Sequence, residues 1–252
     1  MRPLDKGAIP QVDGQDILVN EYGEWRKYLI ERIGYYCAYC NIPLSHSLNV
    51  EHVVAKTPRQ GNEAGNYLAW ENMLLACGPC NSAKGNFPVD NETLYLPEQN
   101  NTLIPFDVQE HPENSNAAII VPNKRLNDTQ NRKAQKTIQL LGLDRIDLRD
   151  KVVDIRWKKR KAALLLAETS YDLYSKIKKS LPGEIENAAK HIARTAAETG
   201  FFLIWFKTFK NEPAVIKRQL DAKYIPGTAT ECFDNTDYNL KNRNPNNRKD
   251  PV

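Results

Sequence analysis

The sequence lacks the features that would assign it to a membrane or to the secretory route. No apolar run approaches the roughly 18 residues that a membrane helix needs, and mean hydropathy is -0.60. The first residues, MRPLDKGAIPQVDG, hold no apolar stretch typical of a signal peptide. Internal repeats are absent as well. We therefore expect a cytoplasmic protein, and a hydrophobic content of 41% over 252 residues is enough for a sizeable core.

A strong charge of one sign is also missing. The net charge is +4 and the pI is about 8.7. This mild basic bias permits nucleic acid as a partner but does not identify one.

Composition and periodicity divide the chain into five predicted segments. These are an N-terminal arm and helix (1–34), a compact core (35–90), a loop-rich connection (91–128), a helical domain (129–233) and a polar tail (234–252). The tail is Asn-rich with almost no aliphatic residues, so we predict that it is disordered. The fold class expected is α+β, with a small ββα core in a mostly α-helical protein.

Periodicity and turn residues predict the individual elements. Strands are expected at 48–54, 73–76 and, less regularly, 102–106 and 117–121. Helices are expected at 21–33, from Asn81, and at 129–141, 145–179, 184–199, 201–209 and 213–222.

Cysteine is scarce, and its placement is informative. Four of the five cysteines form two Cys-x-x-Cys pairs, Cys37 with Cys40 and Cys77 with Cys80. In a reducing compartment such pairs favour a tetrahedral zinc site over disulfides. A redox dithiol is the competing hypothesis, but it needs one pair in a βαβ context. The fifth cysteine, Cys232, receives no role.

Polar residues suited to a second metal lie inside and just beyond this cysteine frame. They are Glu51, His52, Asn72, Asn81 and Lys84. Carboxylate and amide oxygens suit a hard cation such as Mg²⁺ or Mn²⁺, and imidazole can accept a proton at neutral pH. Each residue alone has an ordinary structural explanation, so their order along the chain carries the argument.

That order, C-x-x-C, E-H, N and C-x-x-C-N-x-x-K-G between Cys37 and Asn86, resembles the HNH nucleases, whose ββα-metal core hydrolyses phosphodiester bonds. The resemblance implies that Glu51 and Asn81 bind a catalytic Mg²⁺ or Mn²⁺. It implies that His52 is the general base, which Asn72 orients. It also implies that Lys84 contacts a substrate phosphate and that the four cysteines hold a structural Zn²⁺. Glu51 departs from the family pattern, where Asp is commoner, which puts the metal preference in doubt.

Two further stretches, MRPLDKG at the start and RKAQKTIQLLGLDRIDLRDK after the motif, are similar to a narrower group. That group is the HNH nuclease subunits of bacterial anti-phage systems of the Septu and retron-associated type. The resemblance implies an ABC-like ATPase as partner.

The resulting hypothesis is a metal-dependent HNH endonuclease, for which DNA is the favoured substrate over RNA. The alternative is a non-catalytic zinc-stabilised module that binds nucleic acid or protein. His46, His111 and His191 are interpreted as loop or structural residues. The basic run KKRK at 158–161 is interpreted as a solvated helix face or a phosphate contact.

Overall fold

The computed structural model describes residues 1–46, 49–59, 61–146, 154–247 and 250–252. Over these ranges the chain forms three two-stranded antiparallel sheets and seven α-helices. The strands are β1 (Gln11–Val12), β2 (Gln15–Asp16), β3 (Asn49–His52), β4 (Met73–Ala76), β5 (Phe106–His111) and β6 (Asn114–Pro122). The helices are α1 (Arg26–Ile33), α2 (Gly78–Lys84), α3 (Asp128–Leu141), α4 (Arg156–Ser180), α5 (Ile185–Thr199), α6 (Phe202–Phe209) and α7 (Pro213–Gln219). None of the helices in these ranges has the length and apolarity to cross a membrane.

The predicted strand, strand, helix order is present. β3 pairs antiparallel with β4, and their register sets Glu51 opposite Leu74 and His52 opposite Met73. Strand β4 matches its predicted range, and all four of its residues are buried. β3 is shorter than predicted, and residue 48 lies outside the described residues.

Helix α2 begins earlier than predicted, at Gly78 rather than Asn81. The Cys77 sulfur caps it by accepting the Cys80 N–H at 3.5 Å, and Pro79 is well suited to a first turn because it has no N–H to satisfy. Asn81 therefore lies inside the helix.

Helix ends follow the glycine signals in the sequence. α1 stops at Gly34 (φ 75°) and α3 at Gly142 (φ 58°), both in the left-handed region that favours glycine. At the start of α3, Asn127 and Gln130 form a capping box. The predicted helix at 145–179 is observed only from Arg156, and residues 147–153 are outside the described part.

Strands β5 and β6 form a hairpin between the ββα unit and the helices. The predicted strand at 117–121 lies within β6, whereas of the predicted strand at 102–106 only Phe106 belongs to β5. The preceding residues form turns because the Asn101 side chain accepts the Leu103 N–H at 3.3 Å.

One hydrophobic cluster contains buried residues of both the ββα unit and the helical region. The contact between them is close at Gly200, where an added Cβ would lie 2.3 Å from the carbonyl oxygen of Asn41. The next residue, Phe201, donates its N–H to that same oxygen at 2.8 Å. The turn of the first cysteine pair is therefore packed directly on the α5–α6 junction.

Segment 234–252, for which the sequence predicts disorder, has buried and hydrogen-bonded residues in its described part. Asp250 is 8% exposed and Val252 1%. Lys133 of α3 forms an ion pair with Asp250 at 2.7 Å, and Asn244 donates to the Val252 carbonyl at 2.7 Å. Buried polar partners elsewhere in the chain thus replace the apolar residues that this segment lacks.

Candidate zinc and catalytic metal sites

The two cysteine pairs come together in the structure. The sulfur atoms of Cys37, Cys40, Cys77 and Cys80 all lie within 4.8 Å of one another, and all four residues are buried as free thiols. Two backbone turns arrange them. In the first, Asn41 adopts φ 60° and donates its N–H to the Cys37 carbonyl; the second is the capped start of α2.

The spacing of these sulfurs fits zinc. A tetrahedral ion with Zn–S bonds of about 2.3 Å requires sulfurs about 3.8 Å apart. The Sγ atoms of Cys40 and Cys77 are 3.7 Å apart. Four buried sulfurs within 4.8 Å of one another, with no disulfide between them, could bind one zinc ion.

A buried arginine from the helical region supports this cluster. Arg156, in the first turn of α4, donates from Nη1 to the Cys80 sulfur at 2.9 Å. Its remaining donors reach the carbonyls of Leu141 and Gly142, and Asp154 neutralises its charge at 2.7 Å. Because a four-thiolate zinc site carries two negative charges, a guanidinium in this place offsets part of that charge.

Glu51 of β3 is joined to the cysteine cluster through Tyr39, which lies between the first two cysteines in the sequence. The Tyr39 hydroxyl donates to Glu51 Oε2 at 2.7 Å, and Glu51 is 2% exposed. Burial raises the pKa of Tyr39 well above its usual value, so this hydroxyl stays a donor. The cluster and the carboxylate are therefore held in fixed relation.

The second carboxylate oxygen of Glu51 faces Lys84. Lys84 Nζ lies 2.8 Å from Glu51 Oε1 and 3.2 Å from the carbonyl of Val53, and Lys84 is 2% exposed. Burial lowers the pKa of this ammonium to about 8. The ammonium is directed inward, so a phosphate contact by Lys84 stays a prediction that this geometry does not display.

His52 ends β3 and is partly exposed. Its Nε2 lies 3.1 Å from the carbonyl oxygen of Tyr67. A carbonyl only accepts, so Nε2 carries the proton and Nδ1 is left as the basic nitrogen. On one face of the ring lies Tyr22, with centroids 4.7 Å apart.

Asn72 fastens the loop between β3 and β4. Its Oδ1 accepts the Val54 N–H at 2.7 Å, and its Nδ2 donates to the carbonyls of Val54 and Asn66, each at 3.0 Å. Asn66 precedes Tyr67, whose carbonyl holds His52. Gly65 allows this closure, because an added Cβ would lie 2.3 Å from the Val54 oxygen and 2.5 Å from Asn72 Nδ2.

Glu51, His52, Asn81 and Lys84 line a single open cavity of about 220 Å³. Asn81 is half-buried, and α2 brings it to the wall opposite β3. Asn72 stands behind the cavity rather than in it. The predicted cavity residues thus converge, although they are spread over 34 positions of the sequence.

Several contributors to the site could not be singled out from the sequence, among them Tyr39, which donates to Glu51. The Tyr22 ring packs against His52 at an interplanar angle of 55°, and Arg156 contacts Cys80. The exposed Lys56 lies at the cavity wall with its Nζ 6.0 Å from the centre of the Tyr22 ring. Only Lys56 has a signal nearby in the sequence, four residues after His52. Tyr22 falls in the predicted helix at 21–33 and Arg156 in the one at 145–179, and no neighbouring residue marks either as part of a site.

The remaining candidates lie elsewhere. His46 is exposed in a loop, His111 is in the β5–β6 hairpin, and His191 is exposed on α5. In the KKRK run, Arg160 is buried and donates to the carbonyls of Ala118 and Leu143, so the run is not a uniformly solvated face. Cys232 is fully buried, and burial raises the pKa of its thiol to about 12.

Comparison with known proteins agrees with this geometry. Residues 37–87 match the family model described as HNH endonuclease. A stretch of 65 residues, 25% of this chain, is 37% identical to the CRISPR-associated endonuclease Cas9 of Corynebacterium diphtheriae. That match spans only 6% of the Cas9 chain. No solved structure matches. The protein therefore contains an HNH endonuclease domain, within a longer chain that these matches do not cover.

Proposed function

We propose that the protein is a metal-dependent endonuclease that hydrolyses phosphodiester bonds in nucleic acid, most of all in DNA. The observation that carries this proposal is the shared cavity of Glu51, His52 and Asn81 inside a domain that matches the HNH model. Phosphodiester hydrolysis needs a cation on the phosphate oxygens and a base for the attacking water, and this cavity offers residues for both.

Glu51 and Asn81 are the proposed ligands of a catalytic Mg²⁺ or Mn²⁺. Their donors are all oxygen, which suits these hard cations, and two protein ligands leave positions for water and phosphate. The Lys84 ammonium lies 2.8 Å from Glu51 Oε1, so a metal ion would have to displace it from this carboxylate oxygen. A bound cation would polarise the scissile phosphate and stabilise the leaving oxygen.

His52 is the proposed general base. Its Nε2–H is held by the Tyr67 carbonyl, so Nδ1 can take the proton of the attacking water. Asn72 is proposed as a positioning residue, since it fixes the loop that presents the Tyr67 carbonyl. The exposed Lys56 is a better placed phosphate contact than the buried Lys84.

The four-cysteine zinc site is proposed to be structural. It lies in the core and supplies no open coordination position, whereas a catalytic zinc keeps one for water. Its contribution is to hold Tyr39, and through it Glu51, in place.

We further propose that the nuclease acts in the cytoplasm in defence against phage, beside an ABC-like ATPase. Support comes from the resemblance of MRPLDKG and the stretch after the motif to subunits of such systems. MRPLDKG includes the buried residues Arg2 and Leu4, so part of it belongs to the core and is not free for a partner.

A non-catalytic zinc module is the second candidate, and one observation favours it. Lys84 already neutralises Glu51, so the cavity is electrostatically satisfied without a metal. The two candidates differ in the phenotype of His52→Ala, which a binding module tolerates and a nuclease does not.

Cleavage of supercoiled plasmid and of RNA, with EDTA, Mg²⁺ or Mn²⁺, tests the proposal. We expect metal-dependent cleavage by the wild type, loss of it in His52→Ala, and retention in His191→Ala, which alters an exposed histidine on α5. Equal cleavage by wild type and His52→Ala would remove His52 as the base. No cleavage of any substrate, with or without the ATPase, would favour the binding module.

A further inference from the structure

A second cavity lies outside the predicted catalytic site. It is an open cleft of about 1010 Å³, lined by the start of β5, the end of β6 and the turn after it, helix α6, and part of the segment 238–252. This volume is at the upper end of the roughly 300–1,000 Å³ that small-ligand pockets occupy. The cleft therefore has room for a piece of a polymer.

The cleft is basic. Lys124, Arg125, Lys207 and Lys210 line it, and the only acidic side chain among its lining residues is Asp107, which pairs with Lys207 at 2.8 Å. Over the described residues, Lys124, Arg125 and Lys210 have no ion-pair partner, and all three are exposed. The net charge of the protein is only +4, yet three cationic side chains without an ion-pair partner in the described residues lie at this one cleft.

Amide side chains line the same walls. Asn123, Asn211, Asn239 and Asn242 add neutral donors and acceptors beside the cations, and the ring of Tyr238 is partly exposed between them. Cations contact phosphates, amides can pair with base edges, and an aromatic ring gives a base a surface to stack on. An acidic peptide would use the cations as well, but it offers no flat bases to stack on the Tyr238 ring.

We propose that this cleft, the basic cleft, binds a single-stranded segment of nucleic acid. A single strand fits because its bases are free to turn into the cleft, whereas those of a duplex are stacked and paired. The inference rests on the proposed nuclease function for its biological meaning, since it would make the cleft a second holding point for the substrate.

The cleft is distant from the cysteine cluster. Gln130, near the start of α3, lines the cleft. At the other end of α3, the Leu141 carbonyl accepts a hydrogen bond from Arg156, which also donates to the Cys80 sulfur. A helix of 14 residues is about 20 Å long. Binding in the cleft is therefore separable from events at the cluster by mutation.

The test measures binding in EDTA, so that no cleavage interferes. Binding is measured by fluorescence anisotropy with three labelled probes: a 20-nucleotide oligo(dT), its RNA counterpart and a duplex of equal length. The parent protein is His52→Ala. The cleft variant adds Lys124→Glu, Arg125→Glu and Lys210→Glu to this parent. The matched control carries Lys176→Glu, Lys179→Glu and Lys223→Glu, which change charge equally at exposed positions outside the cleft. Thermal unfolding verifies that all variants fold.

We expect the cleft variant to bind single strands about tenfold or more weakly and to lose about 2 units of salt slope, since each phosphate contact on a single strand contributes about 0.7. The control should bind like its parent. Equal weakening in both variants, or tighter binding of duplex than of single strand, would overturn the proposal. So would complete displacement of the oligonucleotide by inorganic polyphosphate at equal phosphate concentration. A separate plasmid assay distinguishes the failure of this proposal from the failure of the nuclease proposal. If the wild type cleaves no plasmid, the nuclease proposal fails, but the measured binding of single strands to the cleft still stands.

Discussion

Lys84 Nζ and Glu51 Oε1 lie 2.8 Å apart, and each residue is only 2% exposed. A buried carboxylate needs a counter-charge, and in this structure the lysine of the C-N-x-x-K-G stretch supplies it. The same carboxylate is the proposed metal ligand. Lysine and metal would therefore compete for Glu51.

This competition gives the first prediction. Lys84→Met should destabilise the metal-free protein by about 3–5 kcal/mol, because it leaves a buried carboxylate unpaired. Mn²⁺ should then raise the Tm of the variant more than it raises that of the wild type. Thermal unfolding with and without Mn²⁺ measures both effects. The double variant Glu51→Gln with Lys84→Met is the control and should show no Mn²⁺ shift. An equal shift in wild type and Lys84→Met would mean that lysine and metal do not compete.

The second prediction is that the Tyr22 ring supports His52 during catalysis. The Tyr22 ring lies 4.7 Å from that of His52, and Tyr22 comes from the N-terminal segment outside the matched domain. Tyr22→Leu should lower kcat by about 3- to 10-fold, the equivalent of about 0.5–1.5 kcal/mol of ring contact, with little change in KM. Tyr22→Phe keeps the ring and should behave like the wild type. A purely hydroxyl-dependent effect, with Phe as impaired as Leu, would refute the role of the ring contact.

The third prediction concerns Gly65, which leaves room for the Asn72 clamp. Gly65→Ala would put a Cβ 2.3 Å from the Val54 oxygen, so the loop must shift and stability should fall by about 1–3 kcal/mol. Cleavage should fall with it, because the Tyr67 carbonyl would no longer hold His52. Asn72→Ala should act similarly, and the double variant should be little worse than either alone. Gly23→Ala is the control, since nothing lies within 4 Å of its added Cβ. Additive effects of the two changes would contradict a shared clamp.

The sequence predicts elements whose signals are local. Gly34 and Gly142 mark helix ends, and a continuous apolar run marks β4, so those bounds agree with the structure. The spacing of the two cysteine pairs likewise predicts a cluster that the fold does assemble. For the helix ends and β4 a few neighbouring residues contain the necessary information, whereas the cysteine cluster is recognised from a motif repeated after 36 intervening residues.

Contacts between distant segments could not be predicted in this way. Nothing near Arg156 indicates that it reaches Cys80, 76 residues away, nor does anything near Tyr22 indicate His52. Lys84 was assigned to phosphate because a motif lists residue types and not directions, whereas the pitch of α2 turns this side chain inward. The Asn-rich segment 234–252 has too few apolar residues to predict any packing on the core. Its contact with the core comes from distant polar partners such as Lys133, which pairs with Asp250.

Arg156 allows a fourth prediction, on metal retention. Arg156→Met removes the donor to the Cys80 sulfur, and outer-shell contacts of this kind are worth about 10- to 100-fold in metal affinity. Mass spectrometry of the purified wild type first gives the number of bound zinc ions. A chromogenic chelator should then remove zinc from Arg156→Met faster than from the wild type. Arg160→Met is the matched control because Arg160 is equally buried on α4 but donates to carbonyls and not to sulfur. Equal zinc release from both variants would assign Arg156 a general structural role instead.

The final prediction concerns the ion pair between Asp250 and Lys133. Asp250→Ala leaves the Lys133 ammonium buried without its carboxylate, and removing one partner of such a pair costs about 3–5 kcal/mol. Tyr95, which donates its hydroxyl to Asp250 at 3.1 Å, loses its acceptor at the same time. Urea unfolding should show a lower midpoint. The paired replacement Lys133→Met with Asp250→Leu removes both charges and should recover most of the loss, because well-packed apolar residues can replace a buried ion pair. If Asp250→Ala instead unfolds at the wild-type midpoint, this end of the chain does not contribute to the stability of the core.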